Sequence, residues 1–320
     1  RKAWNYDPRS VSHSQGDNTF SAPNPDYGAT FTYYLNESVK TRKEQRKERE
    51  KELEADEDHP IPDWEELDRE LDELEPRVEF EIRDTDGQLL SRVGAKRKKG
   101  LHRTSWNLRA LLPTAIQKDN PDRRRSYRVA DGTYQAQLVK FVDGNYTAIS
   151  APVSFEVESL HPGALPGKEE TTKAAFREDI VAFDKAMQKS NQQLSSIEKE
   201  LKTLMVARKR ATQAAAEVDA QLASLRDEVI QIKYQLSGTP AKGELRESQD
   251  PRPRDRFYAA YRGLNGSYGP TPLHRATLEA GKTELQPIAD RIAEIAKDEL
   301  PSLKKAVQDS GAPALLEIDD

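Results

Sequence analysis

Apolar and polar residues alternate at Val78, Phe80 and Ile82, at Tyr134, Ala136 and Leu138, and at Val153, Phe155 and Val157. This period of two belongs to strands with one buried face. Asp86-Gly87 and Asp143-Gly144 stand where tight hairpin turns would join such strands. Further strands are predicted at Leu89, Leu90 and Val93, at Thr104, Trp106 and Leu108, and at Phe31-Thr32-Tyr33-Tyr34-Leu35, which follows the turn formers Pro23, Pro25 and Gly28. About seven short strands, most without helices between them, favour an antiparallel sandwich. Residues 110–130, with Arg123-Arg124-Arg125, read as a polar loop.

Beyond Pro166-Gly167 the period changes. Phe176, Ile180, Phe183, Met187, Leu194, Ile197, Leu201, Leu204, Val218, Leu222, Leu225, Val229, Ile232 and Leu236 keep one heptad phase. Arg208, Ala211 and Ala215 occupy the core positions between Leu204 and Val218, so the apolar seam fades there. A single helix of about 70 residues would be roughly 105 Å long, against about 57 Å for the next helix, Thr271 to Gln308. Length matching therefore predicts a bend near Ala207 to Thr212 and three helices in all. Pro287 and Pro301 should kink or interrupt the last helix. A short helix near Arg254 to Arg262 is expected within the loop from Gly238 to Pro272.

Between the strand ending at Leu35 and the one at Val78 the pattern is different again. Lys40 to Glu54 is almost wholly charged, with opposite charges four apart at Lys40/Glu44 and Arg46/Glu50, which predicts a solvated helix. Asp63 can cap a second helix, whose Trp64, Leu67, Leu71 and Leu74 form an apolar stripe ending before Pro76. The two read as a hairpin inserted between strands. The expected fold class is thus α+β and multidomain: an immunoglobulin-like antiparallel β-sandwich with an inserted helical hairpin, followed by an antiparallel three-helix bundle. Its parts are a lead-in loop and first strand (1–35), the charged hairpin (36–76), the remainder of the sandwich (77–160) and the bundle (169–312).

Composition narrows the function classes. With 320 residues, two or more units are expected. The 50 basic and 55 acidic residues leave a net charge of −5, which argues against a nucleic-acid partner. No apolar run approaches the ~20 residues that cross a bilayer. The absence of cysteine excludes disulfides, thiol nucleophiles and cysteine metal sites. A start at Arg1 without Met or signal peptide fits a piece of something longer.

The run Phe20-Ser21-Ala22-Pro23-Asn24-Pro25-Asp26-Tyr27-Gly28-Ala29-Thr30-Phe31-Thr32-Tyr33-Tyr34-Leu35 resembles a signature of bacterial secreted proteins with a sortilin-like, Asp-box β-propeller, often called glycosyl-hydrolase-like. Further matches are Ile82-Arg83-Asp84 with Asp86-Gly87, Gly100-Leu101-His102-Arg103, Trp106-Asn107-Leu108-Arg109, Gly132-Thr133-Tyr134 and Gly311-Ala312-Pro313. Those in the strand region are similar to the small immunoglobulin-like domain of the flagellar hook-capping type. The resemblance implies a C-terminal region lying after the propeller, an extracytoplasmic or secreted location, and a neighbouring propeller or another protein as partner. No Ser-x-Asp-x-Gly-x-x-Trp repeat occurs, so propeller-borne activity is not expected of this segment.

Candidate chemistry is thin. Asp84-x-Asp86-Gly87 opens like a calcium loop, but Ala95 stands where the bidentate Glu belongs, so a hairpin turn is the better reading. The histidines His13, His59, His102, His161 and His274 lack metal-ligand spacing, and no Gly-x-Ser-x-Gly elbow is present. His102 with Trp106 reads as packing, and Arg109 as a surface-facing guanidinium. Lys96-Arg97-Lys98-Lys99 and Arg123-Arg124-Arg125 could form one basic rim, and solvated loops are the simpler account. The carboxylate pairs Glu65/Glu66 and Glu169/Glu170 suit helix starts. The one candidate interaction surface is Phe257, Tyr258, Tyr261, Arg262 and Tyr268, since aromatics and arginine are enriched in binding patches; covering the bundle's open end is the competing explanation. No catalytic, cofactor or metal residue stands out. The expected function is a non-catalytic interaction or bracing module of a larger secreted protein. The alternatives are a coiled-coil scaffold that recruits a partner through residues 176–236, and an accessory part of a glycan-acting enzyme.

Overall fold

The computed structural model describes residues 2–5, 26–52, 61–116, 120–160, 166–266 and 268–314. The chain is α+β, with a mixed sheet and a long C-terminal helical region, and divides into two compact units. One comprises Arg1–Leu111 with Ser126–Ala164, the other Leu112–Arg125 with Leu165–Asp320. Segment 112–125 therefore groups with the helices, although its neighbours on either side are strands of the first unit. Of the signature run, residues 20–25 lie outside the described residues.

The first unit contains β1 (Lys2–Asn5), β2 (Ala29–Leu35), α1 (Arg42–Glu52), α2 (Trp64–Leu71), β3 (Arg77–Arg83), β4 (Leu89–Ala95), β5 (Gly100–Trp106), β6 (Arg109–Leu111), β7 (Ser126–Arg128), β8 (Gly132–Val142), β9 (Asn145–Ala148) and β10 (Val153–Ser159). The main sheet has the order β1-β10-β8-β3-β4, with β9 also on β8, while β2–β5 and β6–β7 are separate ladders. Wholly antiparallel pairing is corrected at one edge, where β1 runs parallel to β10. Parallel neighbours need a long connection, and nearly the whole unit lies between these two strands. β1 also corrects the reading of the chain before residue 29 as loop, because four residues are too few to display a period.

The turns follow from single residues. Asp143 (φ 49°) and Gly144 (φ 81°) both adopt positive φ, the requirement of a tight primed hairpin turn between β8 and β9. Between β3 and β4, Asp84 accepts hydrogen bonds from the amides of Asp86 (3.1 Å) and Gln88 (2.8 Å), so it builds the hairpin turn. Alternate residues of β3, β8 and β10 then face one core with β2: Phe31 stacks on Phe80 at 4.8 Å and meets Phe155 edge-on at 5.5 Å. Gly28, at φ 102°, enters this ladder so closely that a Cβ would stand 1.9 Å from the Trp106 carbonyl oxygen. Arg109 is half-buried rather than freely surface-facing. Its Nε donates to Ser126 Oγ at 2.8 Å and ties β6 to β7, because the chain turns back where a free loop was expected.

Helices α1 and α2 bury no residue. Ion pairs join them: Arg46 to Glu70 (2.6 Å) and Arg49 to Glu66 (2.6 Å), with the Arg42 amide on Glu73 (2.9 Å). The expected Arg46/Glu50 pair forms, but Glu44 turns from Lys40 to Arg97, and Lys40 reaches Glu48 instead. The apolar stripe of α2 is largely in solvent, with Trp64 80% and Leu71 83% exposed and Leu67 half-buried.

In the second unit, the heptad segment breaks into α3 (Glu170–Arg208) and α4 (Ala216–Ser237), with the turn at the faded seam. Arg208 pairs with Asp219 (3.0 Å) and Glu198 with Lys233 (2.7 Å), the rungs of an antiparallel pair. Except for half-buried Val218, every heptad residue is buried within the chain. After α5 (Pro240–Glu244) and α6 (Pro253–Tyr261) come α7 (Pro272–Glu294), a π turn at Ile295–Glu299, and α8 (Leu300–Asp309). The two prolines behave differently. Helix α7 runs on through Pro287, with Leu285 and Ile292 buried on either side, since packing outweighs the lost bond. At Pro301 the helix adjusts: Leu300 donates back to Ile295, the wide bond of a π turn, just before the residue without a donor. The α3–α4 turn closes on the end of α8 through Thr212 N–H to Gly311 O (3.3 Å) and Gln213 N–H to Ser310 O (3.2 Å).

Candidate interaction site

A polar and aromatic constellation in the helical unit lies on α6. Pro253 supplies the helical φ of the first turn, and Asp255 accepts from the Arg252 amide (3.2 Å) and Arg252 Nε (2.7 Å), which fixes the helix start. One turn apart, Phe257 and Tyr261 stack with centroids 5.9 Å apart and planes 11° from parallel, and Tyr258 meets Phe257 edge-on at 5.6 Å. Helix α7 comes close to both α6 and α3, where a Cβ on Gly281 would stand 2.9 Å from Arg256 Cβ and from Phe183 Cζ.

This group forms a socket for Arg125. The guanidinium carbon lies 4.3 Å above the Phe257 ring, 5.4 Å from that of Tyr258 and 5.7 Å from that of Tyr261. Its Nε donates to Asp184 of α3 at 2.8 Å. Arg125 Nη2 is buried without a hydrogen-bond partner among the described residues, a placement that the electron-rich ring faces make tolerable. Arg123 Nη2 donates to the Tyr258 hydroxyl at 3.1 Å, and Arg254 lies 5.7 Å from the same ring. Burial raises the Tyr258 phenol, but the hydrogen bond from Arg125 and the charges of Arg123, Arg125 and Arg254 overcome this and hold it below its ordinary value.

Two features that the sequence offered separately, the arginine run and the aromatic cluster, are thus brought together: the described part of segment 112–125 has the irregular backbone of a loop, but short strands flank it and Arg125 is buried. Of the five candidate residues, Phe257 is fully buried, Tyr258 and Tyr261 are half-buried around Arg125, and Arg262 and Tyr268 are exposed. Tyr268 carries Lys168 at 5.3 Å above its ring. Asp184 is a member that sequence reasoning missed. It sits beside the core position Phe183, where a charged residue reads as the solvated flank of a heptad.

Other polar candidates have structural partners. His102 Nε2 bonds the Lys98 carbonyl (2.6 Å), and His274 Nδ1 accepts from the Thr271 amide (3.1 Å) to cap α7. Glu170 pairs with Arg177 at 2.7 Å in the first turns of α3. The runs 96–99 and 123–125 belong to different units. Among the described residues, no group of three or more His, Cys, Asp or Glu is placed to hold a metal; His13, His59 and His161 lie outside them. Nor does any described helix have the length and apolarity to cross a membrane. Comparison with known proteins finds no matching family model, no matching curated protein and no matching solved structure.

Proposed function

We propose that this chain is a non-catalytic bracing and interaction module of a larger secreted protein, following a β-propeller. In this reading the first unit is an immunoglobulin-like sandwich with an inserted helical hairpin, and the second is an antiparallel three-helix bundle. The observation that carries the bracing role is Arg125 in its socket. Segment 112–125 leaves the strands, deposits a charged side chain on α3 and α6, and returns, so the chain passes between the two units three times instead of once. Repeated crossing suits a part that transmits load, whereas a flexible tether needs a single linker. The non-catalytic role draws support from the described candidates His102, His274, Glu65, Glu66 and Glu170, which are engaged in backbone hydrogen bonds, a cap or ion pairs. The burial of the heptad seam between the chain's own helices favours this reading over the scaffold alternative.

A panel of glycosides, esters and peptides tests the non-catalytic role. No turnover is expected; turnover that copurifies with the chain and disappears on changing one of its residues would overturn the proposal.

A further inference from the structure

Helix α2 presents an apolar stripe that is largely exposed among the described residues, with only Leu67 at its centre half-buried. Trp64 and Leu71 are 80% and 83% exposed, and Ile61 before the helix and Leu74 after it are exposed as well. Scattered exposed leucines need no explanation, but a tryptophan in line with aliphatic residues on one helix marks a contact surface. At about 100° per residue, Trp64, Leu67 and Leu71 fall within roughly 60° of one another. Glu66 and Glu70 lie to one side, where Arg49 and Arg46 of α1 neutralise them. On the other side lie Glu65, Asp68 and Asp72. Arg69 pairs with Glu65, while Asp68 and Asp72 make no ion pair among the described residues. Residues 63–75 carry eight acidic residues and one basic residue. One border of the stripe therefore carries two carboxylates, Asp68 and Asp72, without an ion pair among the described residues.

We propose that this face docks a basic amphipathic helix, an apolar ridge flanked by lysine or arginine. Charge selects this occupant. A second copy of α2 would set Asp68 and Asp72 against their own equivalents, and an anionic lipid surface would meet the same repulsion. The proposal rests on the interaction-module reading, but the experiment below can fail while the chain still shows no turnover, so the two are tested apart.

The probe is a synthetic amphipathic helix of leucine and lysine, titrated into the full chain while tryptophan emission is followed. A saturable blue shift is expected, absent from Trp64→Phe and weakened by salt near 1 M, where the screening length falls to about 3 Å. Leu71→Asp, at a site too exposed to affect folding, should weaken binding at least about tenfold. Asp68→Lys combined with Asp72→Lys should reverse the preference towards a leucine and glutamate peptide. Equal response of the unmodified chain to both peptides, or unchanged binding by Leu71→Asp, would overturn the proposal. So would a stripe-dependent dimer seen by sedimentation without peptide, or stripe-dependent binding to phosphatidylserine vesicles.

Discussion

Arg125 donates a 2.8 Å hydrogen bond to Asp184, and the two side chains are only 7% and 2% exposed. A charge pair removed from water this fully is sensitive to asymmetry. Losing one member strands the other, whereas losing both leaves a site that apolar groups can fill. Arg125→Ala or Asp184→Ala should each destabilise the helical unit by about 3–5 kcal/mol. The double change Arg125→Met with Asp184→Leu should recover most of that loss. Urea unfolding followed by far-ultraviolet circular dichroism checks this; a double variant as weak as the two single losses added together would show that the pair is not coupled.

The α3–α4 turn makes a separate prediction. Leu201 is buried within the chain's own helices, so Leu201→Ala should cost about 2–5 kcal/mol, the range for truncating a large core residue. The melting temperature of the unmodified chain should not depend on protein concentration, because no partner chain completes the seam. A midpoint that climbs on concentration would point to association through residues 176–236.

Gly28 tests the strand pairing. Its positive φ and the 1.9 Å approach that a Cβ would make to the Trp106 carbonyl leave no room for alanine. Gly28→Ala should destabilise the first unit by more than about 1 kcal/mol, visible as a lower denaturation midpoint by Trp106 fluorescence. Gly144→Ala meets no neighbour and carries only the strain of its turn, so it should cost less.

Acid should loosen α1. Hydrogen bonds from the Arg97 side chain and the Thr41 amide hold the Glu44 carboxyl at about 2, below its ordinary 4.5. A carboxyl with a depressed folded value adds stability that is fully present above its unfolded value and is lost as pH falls through the folded one. The loss should therefore run from about pH 4.5 down to about 2. Glu44 is 45% exposed, so solvent screening keeps the effect below about 1 kcal/mol. Comparing Glu44→Gln with the unmodified chain across this range isolates it; identical pH profiles would contradict the assignment.

What could be read in the sequence depended on periodicity. The heptad residues of α3 and α4, the turn between them and the hairpins at Asp86-Gly87 and Asp143-Gly144 were legible because a repeat or a special φ marks each one. The parallel edge strand β1 was not, since four residues display no period and their partner lies over 150 positions away. The α2 stripe was legible as a helix face, but its exposure was not, because spacing reports which residues share a face and says nothing about what covers it. In the candidate site, Phe257, Tyr258 and Tyr261 were legible by composition. Arg125 and Asp184 were not, because each sits among charged or flanking positions that look solvated, and only the path of segment 112–125 makes them partners.

The bracing role stands most directly on segment 112–125 being part of the helical unit, and native-state hydrogen exchange of the unmodified chain and Arg125→Ala measures this by unit. In Arg125→Ala, amides of α6 and of α3 around Asp184 should lose protection, while those of β3, β8 and β10 keep theirs. Loss of protection confined to β6 and β7, with α3 and α6 unchanged, would contradict it.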